Sequence, residues 1–336
     1  MKVPTPEVMM SVIIPSCERP DQIRDLMSSI ERQICDLSFE VLVVAQLPEP
    51  HLRKTVESFG PRFRYLETGR LGVGTARNKG LERARGDIIL FLEDDCYLLD
   101  RHFFRRHFDL HFQNPSFAGI GGRFSPPPGA SRTAAAFLWI MDCELSNMRI
   151  NNPDTSFLNE GNSSFKKIFL RTMPQPPGAS ALTGTSVDLC ARLIRDGAKL
   201  MLVDDLIVEH RRSPTFYEFL RSSFQSGWIS ETKNHLGLAA SLKHWNHLLN
   251  RDELLRAKGV EPAQFHWLFK LHERFFLFGQ EFFQADPQEA ASVPELSLKS
   301  YFKISLATAL KHGLREALSR ASLLISRALA ITRYLD

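Results

Sequence analysis

Three acidic residues in a row, Glu93, Asp94 and Asp95, follow directly on the apolar run 87–92 (DIILFL). Adjacent carboxylates repel one another, so gathering them in one turn is costly unless a cation offsets their charge. Carboxylate oxygens are hard ligands that suit Mg²⁺ or Mn²⁺, and such an ion can bridge to a diphosphate. The same residues also read as a solvated acidic turn, or as an aspartate capping the next helix. Residue type alone leaves these readings level.

Upstream, Arg77 and Asn78 open a helical stretch over 75–84. A guanidinium beside the N–H groups of a helix start suits contact with a phosphate. Gly72-x-Gly74 matches the opening of a dinucleotide fingerprint, GxGxxG. Arg77 stands where the third glycine is required, however, and the preceding strand is weak, so a dinucleotide site is not expected. His210, at the end of an apolar strand, reads by itself as an ordinary loop histidine.

These residues must be held by the elements around them. Runs 10–15 (MSVIIP), 39–45 (FEVLVVA), 63–66 and 87–92 are short, apolar and β-branched. Helical spacing over 21–33, a weaker pattern over 52–59 and the 75–84 stretch separate them. A helix over 101–113 and a strand over 117–124 follow. Short apolar runs alternating with helices predict a mostly parallel sheet covered on both faces. Proline-rich breaks fall at 126–129 (PPPG) and 174–178 (PQPPG). From Thr215 onward the pattern is helical and rich in Phe, Trp, His and Leu. The predicted organisation is an α/β domain over 1–213 and an α-helical region over 214–336.

Taken in order, the motifs resemble those of the family 2 glycosyltransferases. Residues 11–20 match that family's opening strand and polar turn. Gly72 through Asp87 matches its G-x-x-x-A-R-N-x-G-L-x-x-A-x-G-D segment, which runs into a strand ending in an acidic motif, here Glu93, Asp94 and Asp95. NEGNSSFKK (159–167) is similar to the family's acceptor-side strand, and 187–210 to its following helix, strand and histidine. The match spans about 200 residues, far more than one motif would.

The resemblance implies a GT-A fold (a Rossmann-like, mostly parallel sheet) with an α-helical C-terminal extension. It implies inverting transfer of a sugar from a nucleoside diphosphate donor to a glycan or lipid-linked acceptor. Asp95 and His210 would hold Mn²⁺ or Mg²⁺. Asp94 or Glu93 would contact the ribose or a metal-bound water. Arg77, with Asn78, would sit by the diphosphate, and Pro15, Ser16, Glu18 and Arg19 would line the nucleoside pocket.

Two departures stand out. The second strand of the family ends in acids that contact the base, whereas here it ends in Ala45 and Gln46, and Gln46 offers an amide instead. The family's general base belongs to an acidic pair before the next helix, and here Thr185 and Ser186 stand there. A hydroxyl cannot replace a carboxylate as base. Asp188 and Glu160 are the candidates to replace it. Two other classes remain: an inactive nucleotide-sugar-binding module, and a nucleotidyltransferase. The latter is disfavoured because Ser16 to Pro20 lacks the glycines of its loop.

The 336 residues are 43% hydrophobic and 24% charged, with a net charge of +4. The five cysteines are scattered and form no CxxC pair, which points away from disulfides and zinc and towards a reducing cytoplasmic setting. Asn162-Ser163-Ser164 matches the N-glycosylation pattern and is read as coincidence. Residues 299–336 carry seven basic residues against two acids, with apolar residues at helical spacing. That stretch reads either as a helix packed on the protein with its cations in water, or as one making peripheral contact with an anionic membrane. Nothing outside it suggests nucleic acid.

Overall fold

The computed structural model describes residues 8–17, 19–69, 72–170, 185–235 and 250–285. Glu18 and the expectation for 299–336 lie outside the described residues. The described residues all fall within one compact unit, Met1–Ala291.

The chain opens with β1 (Met10–Ser16), α1 (Pro20–Glu31), β2 (Phe39–Ala45), α2 (Pro50–Glu57), β3 (Phe63–Glu67), α3 (Val73–Arg83) and β4 (Ile88–Leu92). A two-residue β5 (Cys96–Tyr97) precedes α4 (Phe103–Gln113), β6 (Phe117–Ser125) and α5 (Arg132–Asn147). Short strands β7 (Arg149–Asn151) and β8 (Asp154–Thr155) lead to β9 (Asn162–Lys166). Helix α6 (Thr185–Arg195), β10 (Lys199–His210), α7 (Phe216–His235), α8 (Arg251–Ala257) and α9 (His266–Ala285) complete the described chain. Beyond His210 the described elements are all helical.

The strands form one sheet in the order β3-β2-β1-β4-β9-β6-β10-β8-β7, with β5 on β10. β1 pairs in parallel with both β2 and β4, and β6 in parallel with β10. β9 runs antiparallel between β4 and β6. The carboxyl ends of β1, β2, β4, β6 and β10 therefore share one edge, where the amino end of β9 also lies.

The β-branched runs become central strands because both of their faces are covered. Val12, Ile14, Val41 and Val43 pack on one face with Ile23, Leu26, Met27 and Ile30 of α1. Ile13, Leu42 and Val44 pack on the other with Ala76 and Leu81 of α3 and Leu189 and Leu193 of α6. This is the two-faced α/β sheet that the alternating pattern predicts. Helix α5 is an addition: no helix was expected over 132–147. Its run Ala134-Ala135-Ala136-Phe137-Leu138-Trp139-Ile140 lacks a one-sided stripe because α5 touches both the sheet and the later helices. Ser131 caps it by accepting a hydrogen bond from the Ala134 N–H. Asn162, Ser163 and Ser164 are fully buried, which rules out glycosylation of this folded form at Asn162.

Candidate active site

In this sheet the strand order turns back between β1 and β4, and ligands of open α/β sheets bind in the crevice at such a point. Ser16 ends β1, and Arg19 precedes α1. The acidic turn follows β4 on the other side. The Ser16 hydroxyl donates to Asp94 Oδ2 at 3.0 Å. Arg19 Nη1 lies 3.0 Å from Asp94 Oδ1 and 3.1 Å from Asp95 Oδ2. The crevice is thus closed at its floor by contacts between two segments far apart in sequence.

The three acids do not act alike. Glu93 and Asp95 turn towards His210 at the end of β10, while Asp94 turns towards Ser16 and Arg19. His210 Nε2 is 2.7 Å from Glu93 Oε2 and 3.4 Å from Asp95 Oδ1. One ligand atom from each of Glu93, Asp95 and His210 falls within 4.8 Å of the others. Asp95 Oδ1 is buried and makes no hydrogen bond. Two carboxylates, an imidazole and an orphaned buried oxygen fit a hard divalent cation such as Mn²⁺ or Mg²⁺.

The electrostatics agree with that fit. Burial raises the Asp94 carboxyl to about 6, with the charges of Asp95 and Glu93 adding to the rise and Arg19 opposing it. Asp95 is likewise raised by burial and by Glu93, against the pull of His210. Burial alone would lower His210, but Glu93 and Asp95 outweigh it and raise it. The two carboxylates thus favour a proton on His210 against the cost of its burial. A cation held by Glu93, Asp95 and His210 would supply the positive charge that these acids attract.

The surroundings fix these side chains. Arg211 N–H donates to the Asp95 carbonyl at 2.7 Å, tying the end of β10 to the turn. The Phe124 ring meets His210 edge-on at 4.9 Å. A Cβ on Gly161 would lie 3.0 Å from Glu93 Cδ and 2.8 Å from Phe124 Cζ, so a larger residue there would have to displace those side chains.

The other expected residues are placed as follows. Pro15 is buried within β1, paired with Val44. Gln46 is buried, and its Oε1 accepts the Gly72 N–H at 2.7 Å, so its carbonyl holds the start of α3. Arg77 is buried, ion-paired with Glu160 and set over the Phe91 ring; its charge is felt by Glu93. Asn78 lies half-buried in α3. Asp188 sits half-buried in the first turn of α6, which begins at Thr185. Glu160 is 3% exposed.

The grouping of Glu93 with Asp95 and His210 was not anticipated in that form. Local pattern gives no signal for it, since the acids lie in a turn closed by the Cys96 N–H on the Glu93 carbonyl at 3.1 Å and His210 arrives from a strand more than 100 residues later.

Residues 11–172 match the family model described as glycosyl transferase family 2. That segment is similar to the family 2 glycosyltransferases. Among curated proteins, the chain is 32% identical over 104 residues to an uncharacterized glycosyltransferase, YfnE, of Bacillus subtilis, covering 30% of this chain and 26% of that protein. It is 31% identical over 93 residues to TarS of Staphylococcus aureus, a poly(ribitol-phosphate) beta-N-acetylglucosaminyltransferase, covering 26% of this chain and 16% of that one. The matched stretch thus spans about a quarter or less of these relatives. Among solved structures, the mannosyltransferase PcManGT of Pyrobaculum calidifontis, in complex with GDP-Man and Mn²⁺, superposes with a TM-score of 0.51 at 15% identity, over 95% of this chain and 86% of that one. TarS of S. aureus in complex with UDP-GlcNAc gives 0.50 at 14% identity, over 82% and 92%. These likenesses are of fold, and the glycosyltransferase domain has the GT-A architecture.

Proposed function

We infer that this chain is a metal-dependent, inverting glycosyltransferase that moves a sugar from a nucleoside diphosphate donor to a glycan or lipid-linked acceptor. The observation that carries this reading is the meeting of Glu93, Asp95 and His210 at the switch point of the sheet. Mn²⁺ or Mg²⁺ held by these three would neutralise charge on the leaving diphosphate.

In such a transfer the acceptor oxygen attacks the anomeric carbon from the face opposite the diphosphate. The bond from that carbon to the diphosphate oxygen breaks, and the acceptor's proton passes to a carboxylate. Asp188 is the better base of the two candidates. Glu160 is buried and its charge is committed to Arg77, whereas Asp188 is half-buried and lies three residues beyond Thr185. Ser16 and Arg19 hold Asp94 at the crevice floor, where the nucleoside would sit. Arg77 keeps a positive charge near Glu93.

A second reading, an inactive nucleotide-sugar-binding module, is favoured by Thr185 and Ser186 standing where the family carries its acids. One panel separates the two. The melting temperature is followed with nucleoside diphosphates and their sugars, each with and without Mn²⁺, and donor hydrolysis or transfer is assayed for every ligand that binds. A ligand that binds only the folded chain raises the melting temperature by mass action. A metal-dependent rise with turnover supports the enzyme, the same rise without turnover supports the module, and no rise with any ligand contradicts both.

A further inference from the structure

We propose that Asn162 is a positioning residue for His210, acting through a bulge in β10; this rests on the metal-centre reading above. The pairing of β10 with β6 is interrupted. Leu202 is opposite Gly121 and Ile207 is opposite Arg123, so residues 203–206 of β10 face Gly122 alone. A bulge of this kind decides which face the later residues of a strand present. Here the later residues are Ile207 to His210.

The bulge is pinned from both sides. On the solvent side, Asp204 Oδ1 is held by Arg123 and by Arg149, each at 2.6 Å. Asp205 is held by Arg106 at 2.8 Å. On the inner side the pin is Asn162, at the start of β9. Its Nδ2 donates to the Arg123 carbonyl at 2.8 Å and to the Leu206 carbonyl at 2.9 Å. One nitrogen thus replaces the ladder bonds that the bulge removes, and joins β6 to β10 one residue before they pair again.

Only an amide does this from so short a side chain. Serine has one donor, and ionised aspartate has none. Gly122 makes the approach feasible, since a Cβ there would lie 1.8 Å from the Leu206 carbonyl oxygen and 2.8 Å from Asn162 Nδ2. From this anchor the strand runs through Ile207, Val208 and Glu209 to His210, which pairs with Cys96 beside the acidic turn. A slip at Leu206 would carry the imidazole away from Glu93 and Asp95.

The test is Mn²⁺ binding to the full chain, followed by EPR titration, with pulsed EPR reporting nitrogen coupling from a histidine ligand. In the wild type we expect nitrogen coupling. In Asn162→Ser it is lost and Mn²⁺ binds more weakly by roughly tenfold, the scale on which groups that orient a ligand act. A variant that is folded by circular dichroism and keeps both wild-type coupling and wild-type affinity overturns the role of Asn162 while leaving the metal centre standing. A wild type without nitrogen coupling overturns the metal role of His210 and this inference with it. Should Asn162→Ser fail to fold, Asn162→Asp, of nearly the same shape but without the donor, is read in the same two ways.

Discussion

The guanidinium of Arg77 and the carboxylate of Glu160 form an ion pair in the interior, with side chains 3% and 4% exposed. They come from α3 and from the segment entering β9, 83 residues apart. A buried pair of this kind is costly to break, because removing one partner strands the other's charge away from water. Glu160→Gln is therefore expected to destabilise the fold by roughly 3 kcal/mol, at the lower end of that range because the glutamine oxygen still accepts a hydrogen bond. Urea denaturation measures it. Unchanged stability together with lost turnover would instead make Glu160 the base.

Asp188 is expected to behave in the opposite way. Asp188→Asn removes a proton acceptor at a half-buried helix start while keeping the shape of the side chain. Turnover should fall by about 10²–10⁴, the usual contribution of a general base, with donor affinity and melting temperature nearly unchanged. Single-turnover kinetics beside a donor titration separate the two quantities. Wild-type turnover in Asp188→Asn would place the base elsewhere.

Acid stability should depend on a buried pair where α4 meets β9. His107 Nδ1 and His111 Nε2 both meet the Ser164 hydroxyl, at 2.8 and 2.9 Å. Burial pushes His107 down to about 3 and His111 down to about 4. In the unfolded chain both titrate near 6.5. Below that pH the unfolded chain takes up protons that the folded chain refuses, so stability falls as pH drops from about 6.5 towards 4 and is fully present above it. The double variant His107→Asn, His111→Gln keeps amide groups near the contacting nitrogens and removes both titrations. Its melting temperature should decline less steeply across that window than the wild type's. Equal slopes would show that these histidines are not buried as neutral rings.

Much of the architecture was legible in the chain. MSVIIP, FEVLVVA and DIILFL announce central strands because β-branched residues with both faces covered leave no polar alternation. The order of motifs from Ser11 onward agrees with the glycosyl transferase family 2 match over 11–172. Helix α5 escaped notice because contact with several neighbours erased its apolar stripe. The antiparallel run of β9 was hidden for another reason: NSSFK has one apolar residue among five, and the burial of Asn162 and Ser164 is made bearable by bonds to Arg123, Leu206, His107 and His111. The pairings of Arg77 with Glu160 and of Asn162 with the β10 bulge join segments 83 and 44 residues apart, and local pattern carries no trace of such contacts.

The most direct test of the central claim is calorimetric titration of a nucleoside diphosphate sugar into the wild type and into Asp95→Ala, each with and without Mn²⁺. The wild type is expected to bind a donor tightly only when Mn²⁺ is present. Asp95→Ala should lose that metal dependence and most of the affinity while keeping its circular dichroism spectrum. Donor binding of equal strength in both proteins, indifferent to Mn²⁺, would contradict a metal centre at Glu93, Asp95 and His210.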